Sequence, residues 1–127
     1  MENRVSYTVY YEDTDSLGVV YYANYLKYLE RGRTELVGQF GRPIREWNAD
    51  GFYFVVYGMT IKFRRPAELG DRVDVVSTMT LGSPFRAIFQ QRIERAGAVL
   101  VDADVEVVCL DRARTIQEFP AALRPSP

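Results

Sequence analysis

The alternation of apolar and polar positions divides the chain into one helical stretch set among strands. Arg4–Tyr11 ("RVSYTVYY") is rich in β-branched and aromatic residues and predicts a strand. Glu12–Gly18 ("EDTDSLG") predicts a loop, because its acidic and hydroxyl side chains compete for backbone amides and Gly18 admits backbone states closed to other residues. Between Ala23 and Phe40 the period becomes helical. Leu26, Leu29, the stem of Arg33, Leu36 and Val37 share one face, and Lys27, Arg31 and Glu35 share another. Arg31 and Glu35, four apart, are spaced to pair, for roughly a few tenths of a kcal/mol at most. Gly32 costs such a helix about 1 kcal/mol in propensity, which predicts close approach to something flat behind it. Pro43 opens a short second helix running to Asn48, closed by Gly51.

Beyond that point the pattern is strand. Phe52–Pro66 places Tyr53, Val55, Tyr57, Met59, Ile61 and Phe63 on one face, with Gly58 marking a bulge or a close contact. Arg72–Leu81 alternates with Val73, Val75, Ser77 and Met79 to one side, and "GSP" turns the chain into Phe85–Arg95. After "RAG", Val99, Val101, Ala103, Val105, Val107 and Cys109 face one way, opposite Leu100, Asp102, Asp104 and Glu106. Short connections make the last strands an antiparallel meander. The expected architecture is α+β: a long helix packed on a five-stranded antiparallel sheet, in a single domain over 1–127 whose end from about 120 to 127 is loose. One helix covers five strands poorly and sheet edges need protection, so a homodimer is expected.

Composition narrows the chemistry. The chain has 127 residues and a net charge of −1, with 47% hydrophobic and 26% charged residues, which fits a folded domain and disfavours nucleic-acid binding. No apolar run is long enough for a membrane span, and the start lacks the features of a signal peptide; a cytoplasmic setting is expected. The single Cys109 forms no intrachain disulfide and no thiolate metal cluster. There is no histidine at all, so serine–histidine and cysteine–histidine mechanisms are excluded. Hydrolytic chemistry must rest on carboxylates, tyrosines or main-chain dipoles, without a metal or a cofactor.

Asp13 and Asp15 are the candidates. Pre-helix aspartates commonly serve as caps or Asx-turn residues. Here they follow a strand and precede Gly18, and the amides at a helix start are unpaired donors suited to an oxyanion. A carboxylate a few residues upstream can address the same carbonyl from the side. Tyr7, Tyr10, Tyr11, Tyr21, Tyr22, Tyr25 and Tyr28 offer aromatic walls with polar tips, or plain packing.

The stretch "YYEDTDSLGVVYYANYLKYLERGRTE", with its D-x-D-x-x-G-x-V-Y segment, resembles the signature of hotdog-fold thioesterases of the 4-hydroxybenzoyl-CoA thioesterase type, and most closely the YbgC-like acyl-CoA thioesterase branch associated with the Tol–Pal system. "GFYFVVYGMTIKFRRPAELGD", "FQQRI" and "EVVCLD" extend the likeness over nearly the whole chain. The resemblance implies a catalytic role for Asp15, a structural one for Asp13, a turn at Gly18, and an oxyanion donor in the main-chain amide of Tyr22. It implies a homodimer with active sites between subunits, Met59 and Thr60 lining the acyl pocket from the neighbour, and frequently a homotetramer. One departure stands out: where YbgC-like chains read tyrosine–histidine, this one reads Tyr21–Tyr22. The implied donor is a main-chain group, so catalysis is expected to survive the change, while the acyl preference of the histidine-bearing members does not carry over; a bulkier phenol suits an aromatic or differently shaped acyl group.

The implied reaction is thioester hydrolysis. Carboxylates are ionised at neutral pH and are weak bases, which slightly favours nucleophilic attack over general-base action. The phosphates of coenzyme A call for cations, and Lys62, Arg64, Arg65 and Arg86 are candidates, or else solvated surface charge. An acyl-carrier protein presents the same pantetheine arm. The rival functions are a dehydratase, which usually needs a histidine, a non-catalytic acyl-thioester or partner-protein binding module, and an accessory of an envelope complex.

Overall fold

In the computed structural model, which describes residues 2–124, the helical stripe becomes α1 (Tyr25–Gly38), entered through a single 3₁₀ turn at Tyr22–Asn24. The strands are β1 (Glu2–Thr8), β2 (Tyr53–Phe63), β3 (Arg72–Ser83), β4 (Arg86–Arg95), β5 (Ala98–Leu110) and the two-residue β6 (Ile116–Gln117); the short helix α2 spans Ile44–Ala49. The sheet runs β1-β3-β4-β5-β2, antiparallel throughout, so β3–β4–β5 form the expected meander. β6 is a sixth strand that the sequence pattern does not announce; it pairs with the end of β5 just past the last β4 pair. The predicted first strand stops at Thr8, because a 3₁₀ turn occupies Tyr11–Asp13.

α1 lies on one sheet face. Its buried Tyr28, Leu29, Leu36 and Val37 join Val73, Val75, Phe89, Ile93, Val101, Val105 and Val107 in one core. A Cβ at Gly32 would stand 2.6 Å from Val75 Cγ1, 2.9 Å from Ser77 Oγ and 3.0 Å from Gln91 Nε2, which is the close approach its place in a helix predicts. Those neighbours are fixed, since Gln91 Nε2 donates to Leu29 O and to Ser77 Oγ at 2.9 Å each.

Two bulges redirect side chains. In β2 the register shifts between Val56 and Gly58, so Phe54 and Val56 face the helix before the bulge and Met59 and Ile61 after it. Tyr53 and Val55 therefore lie on the outer face rather than beside Met59, and Gly58 makes room for the Glu106 carboxylate. In β5 the shift opposite Ile93/Glu94 sends Leu100 into the core and turns Val99 out. The tail also departs from expectation: Phe119 stacks on Phe54 with ring centroids 5.8 Å apart, and Leu123 is buried, so the chain is anchored to that point. The last part of the expected loose end, 125–127, lies outside the described residues. The outer sheet face is polar, with Arg4 bridging Asp74 at 3.0 Å and Glu94 at 3.1 Å. Among the described residues no helix is long and apolar enough to cross a membrane.

Between β1 and α1 the acidic stretch folds into a miniature hairpin. Tyr21 N–H donates to Asp13 O at 3.0 Å, Thr14 bridges Val20, and Asp15 N–H donates to Val19 O at 2.9 Å. Ser16, Leu17 and Gly18 form the three-residue tip, with Gly18 at φ 78° in the left-handed region that such tips require. Gly18 O accepts from Leu69 N–H at 3.0 Å, tying the tip to the turn before β3.

Two substitutions test these backbone demands. Gly32→Ala gains about 1 kcal/mol of helix propensity but overpacks a fixed seam at a cost of about 1–3 kcal/mol, so urea denaturation should show net destabilisation. Gly18→Ala meets no atom and should lose about 1 kcal/mol from backbone strain alone, with Gly18→Asn losing less in the same assay.

Candidate active site

The hairpin sets Asp15 at its tip and delivers the chain to the first turn of the helix. Asp15 is half-buried; its Oδ1 accepts from Leu17 N–H at 2.9 Å in an Asx turn, while Oδ2 meets no donor among the described residues. The bland role of a loop aspartate is thus realised with one oxygen, leaving the other uncommitted. At the far end of the hairpin the N–H groups of Tyr22 and Ala23 open the 3₁₀ turn, and neither has an acceptor among the described residues. Unpaired amides at the head of a helix carry partial positive charge.

Asp13 is a structural hub. Its Oδ2 accepts from Tyr28 O–H at 2.7 Å and from Tyr10 N–H at 2.9 Å. Its carbonyl accepts from Asn24 Nδ2 at 2.9 Å and from Tyr21 N–H at 3.0 Å. The role assigned to it by resemblance, holding the loop, is visible in these four bonds.

A cleft of about 250 Å³ opens beside the helix start, lined by Val20, Tyr22, Tyr25, Phe63, Arg64, Arg65 and Pro66. Tyr22 meets Phe63 edge-on at 6.0 Å and Tyr21 at 5.0 Å. Tyr25 is 3% exposed, and its hydroxyl accepts from Ala67 N–H at 3.0 Å. Burial raises its phenol above the ordinary tyrosine value, so it is a packed wall with one edge on the cleft. Asp15 and Gly18 lie outside the lining of this cleft.

The other candidates are dispersed within one chain. Tyr7 packs on Tyr28 at 5.8 Å, and Arg31 lies over both rings at 5.7 Å rather than pairing with Glu35. Met59 faces the core, whereas Thr60 and Lys62 lie on the outer face beside Asp102 and Asp104. Arg64 pairs with Asp102 at 3.0 Å. Arg86 sits 5.8 Å over the Tyr57 ring near Glu106, in a different hollow, so the four cations form no single cluster.

Some residues carry more than their sequence pattern reveals. Arg33 is buried on α1, pairs with Glu30 and donates to Gln91 Oε1 at 3.0 Å; it borders a second groove of about 360 Å³ between α1 and the first half of β2. Burial lowers its guanidinium from the usual arginine value, against the pull of Glu30. Asn24 and Tyr28, four apart on the helix, are the hidden partners of Asp13, and only their spacing could have signalled it. Burial pushes the Cys109 thiol up to about 11, which makes it a packing residue and not a nucleophile. Among the described residues, no three histidine, cysteine, aspartate or glutamate side chains are grouped to hold a metal ion.

Known proteins resemble this chain in sequence and fold. Residues 9–125 match the model of the thioesterase-like superfamily. The acyl-CoA thioester hydrolase YbgC of Escherichia coli O6:H1 is 39% identical over 104 residues, spanning 81% of this chain and 78% of that protein. Among solved structures, a probable thioesterase from Bartonella henselae superposes with a TM-score of 0.88 at 30% identity, covering 94% of this chain and 100% of the other. The 1,4-dihydroxy-2-naphthoyl-CoA thioesterase Slr0204 from Synechocystis gives 0.87 at 25% identity, covering 96% and 92%. The helix-on-antiparallel-sheet architecture is therefore a hotdog fold, and the chain belongs to the thioesterase-like superfamily, closely related to the YbgC-like acyl-CoA thioesterases.

Proposed function

We propose that this chain hydrolyses acyl-CoA thioesters with Asp15 as its carboxylate and the main-chain amide of Tyr22 as its oxyanion donor. The supporting observation is that the hairpin bearing Asp15 leads directly into the 3₁₀ turn that Tyr22 opens, with one Asp15 oxygen and the Tyr22 N–H uncommitted among the described residues. The amide, assisted by the helix dipole, polarises the thioester carbonyl. Asp15 either directs water onto that carbon or attacks it, expelling the thiolate and leaving a mixed anhydride that water opens to the free acid. Neither route needs a histidine or a metal. The relatives' activities, acyl-CoA hydrolysis in one and 1,4-dihydroxy-2-naphthoyl-CoA hydrolysis in another, support the same reaction type here.

The working form in this reading is a homodimer. β2 has one edge that no strand of the described residues covers, and Val55, Val56, Tyr57 and Phe63 along it are 40–49% exposed. A second copy seated there shields that edge and closes the cleft beside Phe63 with its own β2, which is how Met59 and Thr60 of a neighbour would reach the acyl group. The homotetramer has less support, because the outer sheet face is laced with ion pairs. At the cleft, Arg65 is the stronger candidate for the carrier's phosphates, since Arg64 is already engaged by Asp102 and Arg65 has no ion pair among the described residues. The same rim would serve an acyl-carrier protein.

Free-thiol release from short aliphatic, long aliphatic and aromatic acyl-CoAs tests the reading. Asp15→Asn is expected to cut kcat by about 10²–10⁴-fold on every accepted substrate; full activity in that variant removes Asp15 from its role, and no turnover of any thioester by the parent chain leaves the binding module standing. Arg65→Ala should raise KM roughly three- to tenfold with kcat spared. Tyr22→His should keep turnover but change the ratio between aromatic and aliphatic substrates, because it replaces a cleft wall and leaves the amide in place.

A further inference from the structure

We infer that Tyr28 is a positioning residue: its hydroxyl, by holding the Asp13 carboxylate against the first turn of α1, fixes where the Asp15 hairpin stands relative to the Tyr22 amide. The inference rests on the catalytic reading above for its consequence, but on geometry for its content.

Asp15 makes no side-chain bond to α1; its Oδ1 is used within the hairpin tip. Its position is inherited from its neighbours. The hairpin bonds carry it as far as Asp13 and Tyr21, and there the chain is fastened to the helix. That fastening has two parts. Asn24 Nδ2 reaches the Asp13 carbonyl at 2.9 Å, and Tyr28 O–H reaches the Asp13 Oδ2 at 2.7 Å. Asn24 ends the 3₁₀ turn as the N-cap of α1 and Tyr28 closes the first turn of α1, four residues on, so both reach Asp13 from the same side. Two bonds from two levels of the helix fix orientation as well as distance, which one bond cannot do. The remaining partner of Oδ2, Tyr10 N–H at 2.9 Å, secures the hairpin to the end of β1.

Tyr28 is built for this task. It is 2% exposed, its ring packs against Tyr7 at 5.8 Å, and Arg31 covers it at 5.7 Å. A ring so buried and packed against two neighbours has little freedom to swing its hydroxyl elsewhere. Burial, reinforced by the neighbouring Asp13 charge, raises the phenol well above the ordinary tyrosine value, so it remains a proton donor across the working range. The sequence shows only one more tyrosine in an aromatic-rich helix start.

Tyr28→Phe removes the hydroxyl and keeps the ring. Two measurements are made on the full chain, with Asp13→Asn and the double variant alongside. Amide hydrogen exchange at Asp15 and Tyr21 should accelerate about tenfold or more in Tyr28→Phe, while Val75 in β3 exchanges as before. On an accepted acyl-CoA, kcat should fall about tenfold or more with KM within about twofold, and the double variant should be no worse than Asp13→Asn alone, since Tyr28 acts only through the Asp13 carboxylate, which also holds Tyr10 N–H. Unchanged exchange at Asp15 and Tyr21 overturns the inference. So does faster exchange with kcat intact, or a global rise in exchange that includes Val75, which would mark Tyr28 as ordinary packing. If the parent chain turns over no thioester, the catalytic reading fails by itself, and the exchange data still decide whether Tyr28 holds the hairpin.

Discussion

The contact on which the rest depends is the seam between Gly32 and the middle of the sheet. A helix that carries a side chain at that point must ride higher over β3 and β4, and everything attached to its ends rides with it. With only hydrogen on Gly32, the helix backbone settles against Val75, Ser77 and Gln91, and Gln91 then bonds to the helix carbonyl of Leu29 at 2.9 Å. Its other end receives Arg33 at 3.0 Å, so a buried polar chain runs Ser77–Gln91–Arg33–Glu30 from sheet to helix surface. Buried polar groups are costly unless paired, and here each link satisfies the next. The result is a helix with fixed height and rotation, which is the condition for its N-terminal amides to address anything with precision.

From that fixed helix the site is assembled by local bonds rather than by burial. The hairpin over residues 13–21 is small, exposed on one side and rich in polar groups, so hydrophobic packing alone cannot hold it. Leu17 at its tip is 83% exposed. What holds it is the Asp13 knot on one side and the backbone bonds to Ala67 and Leu69 on the other. Loops that carry chemistry commonly sit on rigid scaffolds in this way, and in the proposed mechanism the separation of carboxylate and amide is set where loop and scaffold are joined.

Much of this fold was legible from periodicity, and the exceptions share a cause. Gly32 and Gly58 could be read as close approaches because glycine inside regular structure has few other uses. The face of β2 could not be read through, because one extra residue at Tyr57 exchanges the two sides and alternation cannot signal its own interruption. The same happened at Val99 and Leu100. Arg31 is spaced to pair with Glu35, yet its guanidinium lies over two tyrosine rings, one of them from β1, and makes no ion pair among the described residues. The tail looked loose from its prolines, while Phe119 and Leu123 anchored it through contacts distant in sequence. At the site, Asp13 and Asp15 could be singled out from their place between a strand and Gly18, but which of them is bonded to the helix is tertiary: Asp13 is held by Tyr28, fifteen residues away.

A chain without histidine faces a narrow choice in the proposed cleavage of an acyl bond, and that choice would account for the departure at residue 22 from the tyrosine–histidine pair of the YbgC-like motif. A main-chain N–H donates whatever side chain its residue bears. If the oxyanion is stabilised by that amide, selection on the transition state acts on the backbone path, which Asp13 and the 3₁₀ turn determine, and the side chain is released to shape the substrate slot. Tyr22 stands edge-on to Phe63 at the mouth of the cleft, an exposed residue available to a ligand or to a second copy. An imidazole there would bring a titratable group beside the carbonyl; the phenol brings only surface and a hydroxyl. A tyrosine rather than an imidazole at position 22 thus leaves the proposed chemistry intact and would act on the shape of the acyl group accepted.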